Sequence, residues 1–274
     1  MFNQLDIISS EQIQKLNNLR EYFKNLDSAS IAYSGGVDST LVATIAYEQL
    51  QNKSIAITGV SPALASQLLN EARAQAKWIG IKHIEIKTLE LEDENYRKNP
   101  DNRCFACKKE LHKHTKYLSE KLDFKHIIDG VNLDDLNDYR PGIQASREAG
   151  VESPLALLEF SKQDIRDISK SLGFPWWDKP AQPCLSSRFP YGYEISAKRL
   201  KMIELAEEYI KNLGIEEVRV RCQGNSARIE IPSNQIKKFV VLYEREVLIK
   251  FFLKLGFKSA CLDLEGLVSG KLNR

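Results

Sequence analysis

Ser30-Ile31-Ala32-Tyr33-Ser34-Gly35-Gly36-Val37-Asp38-Ser39 is the stretch on which the fold turns. Its apolar start reads as a buried strand, and Leu41, Val42, Ile45, Ala46 and Leu50 follow at helical spacing. The glycine pair therefore sits on a strand-to-helix turn. Glycine tolerates positive φ and lets a backbone or ligand come close. The N–H groups that open the helix, with the Ser34 and Ser39 hydroxyls, form a nest for an anion. A phosphate loop of the G-x-x-x-x-G-K-[ST] kind is excluded, because no lysine follows.

Outward from this turn, the pattern alternates. Residues 10–26 read as an amphipathic helix on Ile13, Leu16, Leu19 and Phe23. Strand 30–33 and helix 38–51 are followed by strand 53–59, helix 62–79, strand 83–87, helix 105–121 and strand 126–129. This alternation predicts an α/β fold with a doubly wound parallel sheet. Ligands of such sheets bind at the carboxyl ends of the strands, where the Ser34–Ser39 turn and Asp129-Gly130 both fall. A helix over 161–172 leads into a loop rich in proline and aromatic residues, Phe174 to Gly192. Beyond it the pattern reads helix 196–212, strands 216–222 and 226–231, helix 233–254 and strand 257–263. We expect residues 1–190 to form the α/β domain and residues 191–274 a smaller C-terminal α+β domain.

Composition sets the outer bounds. The chain has 274 residues, a formal net charge of +2 and 43% hydrophobic residues. No strong electrostatic footprint for nucleic acid or a membrane surface appears. No segment reaches the roughly 18 uncharged apolar residues of a membrane span, and Met1–Gln12 lacks the basic start of a signal peptide. A cytoplasmic protein follows, with no nucleic-acid or membrane partner. Five cysteines in a reducing compartment invite metal or catalytic readings.

Four groups of residues carry chemistry. Cys104 and Cys107 lie two residues apart at a helix start, where thiolates are favoured and two sulfurs can face one metal. Zinc with His112 or His114, a redox pair, and two plain helix cysteines are the alternatives. Cys184 sits in Pro183-Cys184-Leu185-Ser186-Ser187-Arg188, beside a cation that favours thiolate. Three cysteines can also hold an iron–sulfur cluster and leave one iron open. Cys222 and Cys261 read as core residues. The third group runs from Asp129 to Gly142 and holds Asp129, Asn132, Asp134, Asp135 and Asp138, suited to Mg²⁺ or a ribose. A solvated acidic loop is the plain alternative. Arg219 and Arg221 share one face of a strand, with Arg228 and Glu230 opposite, and paired guanidinium groups suit phosphate or carboxylate.

The turn matches the pyrophosphate-loop pattern SGGxDS, which implies an ATP pyrophosphatase. With the Arg103-Cys104-x-x-Cys107-Lys108 segment, the Asp129–Gly142 loop, the Cys184–Gly192 loop and the Val218–Pro232 hairpin, nearly the whole chain resembles the LarE family of ATP-dependent sulfur transferases. The resemblance implies adenylation of a carboxylate of a pyridinium dicarboxylate mononucleotide, then displacement of AMP by sulfur. That step serves nickel-pincer nucleotide biosynthesis. It implies ATP binding at Ser34, Gly35, Gly36, Asp38, Ser39, Asp129 and Gly130, with Mg²⁺. Asp38, Lys108 and Cys184 become the catalytic residues, and Ser187, Arg188, Arg219 and Arg221 the phosphate or substrate contacts. Cys104, Cys107 and Cys184 match the members that bind a [4Fe–4S] cluster and pass on added sulfide, so sulfide or a sulfur donor is an expected partner. The alternatives are sacrificial transfer from Cys184 alone and an ATP-dependent amidating ligase. A homo-oligomer is expected. Val268 stands where some members carry a basic residue.

Overall fold

The computed structural model describes residues 8–136, 140–242, 244–268 and 270–271. In chain order the elements begin with α1 (Ser10–Lys24), β1 (Ala29–Ala32), α2 (Val37–Leu50), β2 (Ser54–Val60), α3 (Ser66–Ile79) and β3 (Lys82–Lys87). Next come α4 (Glu94–Arg97), α5 (Arg103–Lys121), β4 (His126–Ile128), α6 (Leu133–Leu136), α7 (Pro141–Glu148), α8 (Pro154–Leu157) and α9 (Lys162–Ser171). The last are α10 (Ala197–Asn212), β5 (Arg219–Gln223), β6 (Ser226–Glu230), α11 (Ile236–Leu242), α12 (Arg245–Leu255) and β7 (Ser259–Leu262). The chain folds into two compact units, Met1–Glu90 with Asn102–Gln182, and Leu91–Asp101 with Pro183–Arg274.

The first unit is the expected parallel sheet, in the order β3-β2-β1-β4. The chain runs outward from β1 through β2 to β3, then returns to pair β4 with the free edge of β1. The crevice between the carboxyl ends of β1 and β4 is therefore a topological switch point. Apolar residues surround β1 on all sides because both sheet faces are covered. Ile31, Leu41, Ile45, Phe23 and Ile165 are fully buried in one core. Helix α1 starts with a capping box, in which the Ser9 hydroxyl accepts from Gln12 N and the Gln12 amide accepts from Ser9 N. An aromatic group closes this unit: Trp78 meets Trp176 edge-on at 5.3 Å and Phe174 at 5.5 Å, and Lys170 lies over Trp177.

The second unit is a three-stranded mixed sheet, β5-β6-β7, with an antiparallel hairpin and a parallel edge. Leu200, Ile203, Ala206 and Ile210 of α10 are buried in this unit. The single helix expected over 233–254 is instead a tight turn, Ser233–Gln235, then α11 and α12. Glu244 takes an extended conformation before α12, which ends the first run. Cys222 is in the core as expected, but Cys261 is exposed. The reason is that Cys261 shares with Ser259 the exposed face of β7, while Ala260 and Leu262 are half-buried. Among the described residues no helix is long and apolar enough to cross a membrane.

His112 makes the first unit acid-sensitive. It is buried on α5, its Nε2 is 2.8 Å from Ser146 Oγ of α7, and Lys108 stands one turn away. Burial first, then Lys108, pushes its pKa down to about 3. The unfolded chain therefore takes up a proton, near the ordinary 6.5, that the folded chain refuses. Stability is full above that value and is lost as pH falls from it toward 3. Unfolding in urea should cost about 2 kcal/mol less at pH 5 than at pH 7. His112→Gln, which keeps a partner for Ser146, should flatten this slope.

Candidate active site

Strand β1 ends at Ala32, and the backbone N–H of Tyr33 still reaches Ile57 O at 2.8 Å. Gly35 then turns with φ of 73°, a conformation few side chains accept. Helix α2 opens after Gly36 with no side-chain cap, so its first N–H groups are left for a ligand. The two hydroxyls hold the turn: Ser34 Oγ and Ser39 Oγ are 3.2 Å apart, and Ser39 Oγ donates to Gly36 O at 3.1 Å. Beneath the turn, Gln75 of α3 is buried, and its Oε1 accepts from Tyr33 Oη and Thr40 Oγ1, both at 3.2 Å. Gln75 carried no motif. Its only sequence signal is a polar residue on the face shared by Ala72, Ala76 and Ile79.

Asp129-Gly130 comes to the same place from β4. A Cβ on Gly130 would stand 2.8 Å from Ser39 N and 3.1 Å from Asp38 C. No rotamer change relieves a clash with backbone, so Gly130→Ala must displace the turn. The expected result is loss of nucleotide binding by at least about tenfold, with a folded far-UV spectrum. Isothermal titration with a non-hydrolysable ATP analogue checks this.

The acidic loop supports Asp38. Asn132 Nδ2 donates to Asp38 Oδ1 at 3.1 Å, and Asn132 is locked in turn by Asp135. Asp135 pairs with Arg140 at 2.9 Å and Lys162 at 3.2 Å. Burial, and then the charge of Asp135, raise the Asp38 pKa. Asp129 accepts from Val131 N and Ser153 Oγ through one oxygen, while its other oxygen is buried without a hydrogen bond. Asp129 therefore keeps one buried oxygen with unmet capacity, beside the glycine that packs on the Asp38–Ser39 backbone. Asp138 lies outside the described residues.

Cys104 and Cys107, with two residues between them, lie on the first turn of α5, one exposed and one half-buried. Lys108 follows on the face of Cys104, where Gly142 of α7 packs: a Cβ there would be 3.0 Å from Lys108 Cγ. His112 is engaged by Ser146 and His114 by Glu110. Among the described residues no three His, Cys, Asp or Glu side chains stand together as a metal site. Cysteine thiolates are the ligands that iron–sulfur clusters take, so the adjacent Cys104 and Cys107 fit such a group in donor type and spacing.

Cys184 belongs to the second unit, at the start of a tight turn, Leu185–Arg188. Arg188 clamps this turn. Its Nε and Nη2 donate to Glu207 at 2.8 and 3.0 Å, and its Nη1 donates to Pro183 O and Ser187 Oγ. Both partners are buried, and breaking such a pair costs about 3–5 kcal/mol. Arg221, also buried, donates to Glu230 at 3.0 Å and to Ser187 O at 2.8 Å. Arg228 takes the other Glu230 oxygen. Arg219 differs, since its side chain has no hydrogen bond or ion pair among the described residues. Burial, then the charges of Arg188 and Arg221, lower its pKa. Glu207 was not legible in advance, because a lone glutamate on a helix has no local mark.

No family model matches the chain. An uncharacterised protein of Synechocystis sp. is 55% identical over 260 residues, 95% of this chain and 97% of that protein. An uncharacterised protein of Methanocaldococcus jannaschii is 36% identical over 253 residues, 92% of this chain and 95% of its own. The pyridinium-3,5-bisthiocarboxylic acid mononucleotide synthase of Lactiplantibacillus plantarum is 33% identical over 252 residues. That match spans 91% of this chain and 90% of the synthase. With this likeness running through both units, the chain belongs to the LarE family.

Proposed function

We propose that the chain is an enzyme of nickel-pincer nucleotide biosynthesis that uses ATP to turn a carboxylate of a pyridinium dicarboxylate mononucleotide into a thiocarboxylate. The observation that carries this reading is the packing of Gly130, which follows Asp129, against the Asp38–Ser39 backbone of the Ser34–Ser39 turn at the switch point of the sheet. In the first step the substrate carboxylate attacks the α-phosphorus of ATP, and pyrophosphate leaves. The open N–H groups of α2, with Ser34 and Ser39, hold the departing pyrophosphate. Asp38 and Asp129 would hold Mg²⁺, which neutralises charge on the phosphates when bound. Lys108 adds a positive charge. In the second step a sulfur nucleophile attacks the acyl carbon, the bond to AMP breaks, and the thiocarboxylate forms. No net oxidation or reduction occurs in either step.

Cys104, Cys107 and Cys184 would hold a [4Fe–4S] cluster, which when bound supplies an open iron for a transferable sulfide. Arg219, unpaired and half-buried, is suited to the substrate phosphate or second carboxylate. Arg188 and Arg221 keep Ser187 and Cys184 in place beside it. Exposed Val240, Val241, Val247 and Leu253 on α11 and α12 support a homo-oligomer.

The test supplies ATP, the dicarboxylate nucleotide and isotopically labelled sulfide to anaerobically purified protein. AMP and labelled thiocarboxylate are expected, with the mass of the chain unchanged. Unlabelled product with loss of hydrogen sulfide from Cys184 would establish sacrificial transfer. Absence of AMP would overturn the reading.

A further inference from the structure

We propose that Tyr96 and Asn99 are positioning residues for sulfur transfer, fixing the loop that carries Cys184, Ser187 and Arg188. The proposal rests on the sulfur-transfer reading above. Residues Leu91–Asp101 leave the first unit's stretch of chain and pack within the second. Their one helix, α4, is four residues long and polar in sequence. So short a helix has no stability of its own, and its place must come from the contacts it makes.

Those contacts fall on the Cys184 loop. Tyr96 is buried, and its hydroxyl lies 2.6 Å from the hydroxyl of Ser186, which is fully buried. Asn99 is fully buried with φ of 54°, in the left-handed region that asparagine enters more readily than most side chains. Its Nδ2 donates to Pro190 O at 2.7 Å and to Phe189 O at 3.5 Å. Its carbonyl accepts from Gly192 N at 2.8 Å, and Arg97 O accepts from Ile195 N at 2.9 Å. The segment is thus a strap that grips the turn at both ends, Ser186 before it closes and Phe189-Pro190 after. Ser187 and Arg188 lie between the grips, and Cys184 lies two residues ahead of the first.

On its far side the turn is held by Glu207, which neutralises Arg188, and by Arg221, which donates to Ser187 O. The strap adds neutral bonds that set where the backbone runs. It also leads straight into Asn102, the residue that opens α5. An acyl adenylate meets water as well as sulfur, and a misplacement of about 1 Å can cost 10²-fold in rate. A loosened strap should therefore leave adenylation intact and waste the adenylate by hydrolysis.

Tyr96→Phe removes only the hydroxyl. Asn99→Gly accepts the left-handed backbone and removes only the amide. Lys98→Ala, on the same strap but exposed, is the control. AMP and thiocarboxylate are measured together on the full chain, and the rate of Cys184 alkylation by iodoacetamide is followed by mass spectrometry on the reduced thiol form. For both variants we expect AMP formation within about twofold of the parent, AMP per thiocarboxylate raised about tenfold, and faster alkylation of Cys184. Lys98→Ala should match the parent. An unchanged product ratio in both variants, even with a lowered melting temperature, would make the strap merely structural and overturn the proposal. If the parent forms no AMP at all, the functional reading fails separately, and unchanged Cys184 alkylation would then overturn the strap.

Discussion

Asp38→Ala should lower AMP formation by on the order of 10²–10³-fold, the loss typical of one preorganised electrostatic group at a reacting centre. The argument starts from cost. A carboxylate in the first turn of α2 gains from the helix dipole. Burial and the neighbouring charge of Asp135 nevertheless raise its pKa, so the folded chain holds it at a disadvantage. A divalent cation shared with phosphate oxygens removes that disadvantage, because Mg²⁺ takes one or two carboxylates plus phosphate and water. Asp38→Asn separates the charge from the shape. It can still accept from Asn132 Nδ2 and relieves the repulsion from Asp135. The Asn variant should therefore lose AMP formation as fully as the Ala variant while melting no lower than the parent. Chromatographic assay of AMP, with a thermal melt of each variant, decides it. AMP formation within tenfold of the parent in Asp38→Asn would remove Asp38 from the reaction.

Cys184→Ala should form no detectable thiocarboxylate and still release AMP. The separation is expected from geometry. The Cys184 side chain makes no capping bond to the turn it precedes. Its carbonyl does the structural task, accepting from Ser187 N at 3.0 Å and Arg188 Nη1 at 3.3 Å, and alanine keeps that carbonyl. Only the sulfur is lost, so the second step fails and the first does not. Cys104→Ala should behave alike for repeated turnover and also lose bound iron, measured as iron and acid-labile sulfide per chain. Undiminished thiocarboxylate from Cys184→Ala would exclude this cysteine from the transfer.

The parallel sheet was legible because its signals are local. Buried strands such as Ser30–Tyr33 and Ser54–Thr58 are apolar runs bounded by turns, and each intervening helix has its own period. The turn at Gly35 was legible because φ of 73° demands glycine. What stayed hidden was long-range pairing. Arg188 beside Cys184 reads in one dimension as a cation for a thiolate, yet its guanidinium is committed to Glu207, nineteen residues on. The strap was hidden for the same reason, since nothing in Glu94-Asn95-Tyr96-Arg97 points ninety residues ahead to Ser186. The break before α12 was missed because its apolar spacing carries on through Glu244, and only the backbone turn there ends the helix. Cys261 read as core because an edge strand and a central strand share one sequence pattern.

The aromatic group of the first unit has an optical consequence. All three tryptophans of the chain, Trp78, Trp176 and Trp177, lie in Met1–Glu90 and Asn102–Gln182. Emission excited at the red edge of protein absorption therefore originates wholly in the first unit. The unit that carries Cys184 is dark in that channel and contributes only tyrosine signal, from Tyr96, Tyr191, Tyr193 and Tyr209 among others. A denaturation followed by tryptophan emission thus watches the first unit alone, while the far-UV signal of the backbone follows both units together. Coincident curves would mean that the two units melt as one cooperative body, and divergent curves that the second unit comes apart on its own schedule.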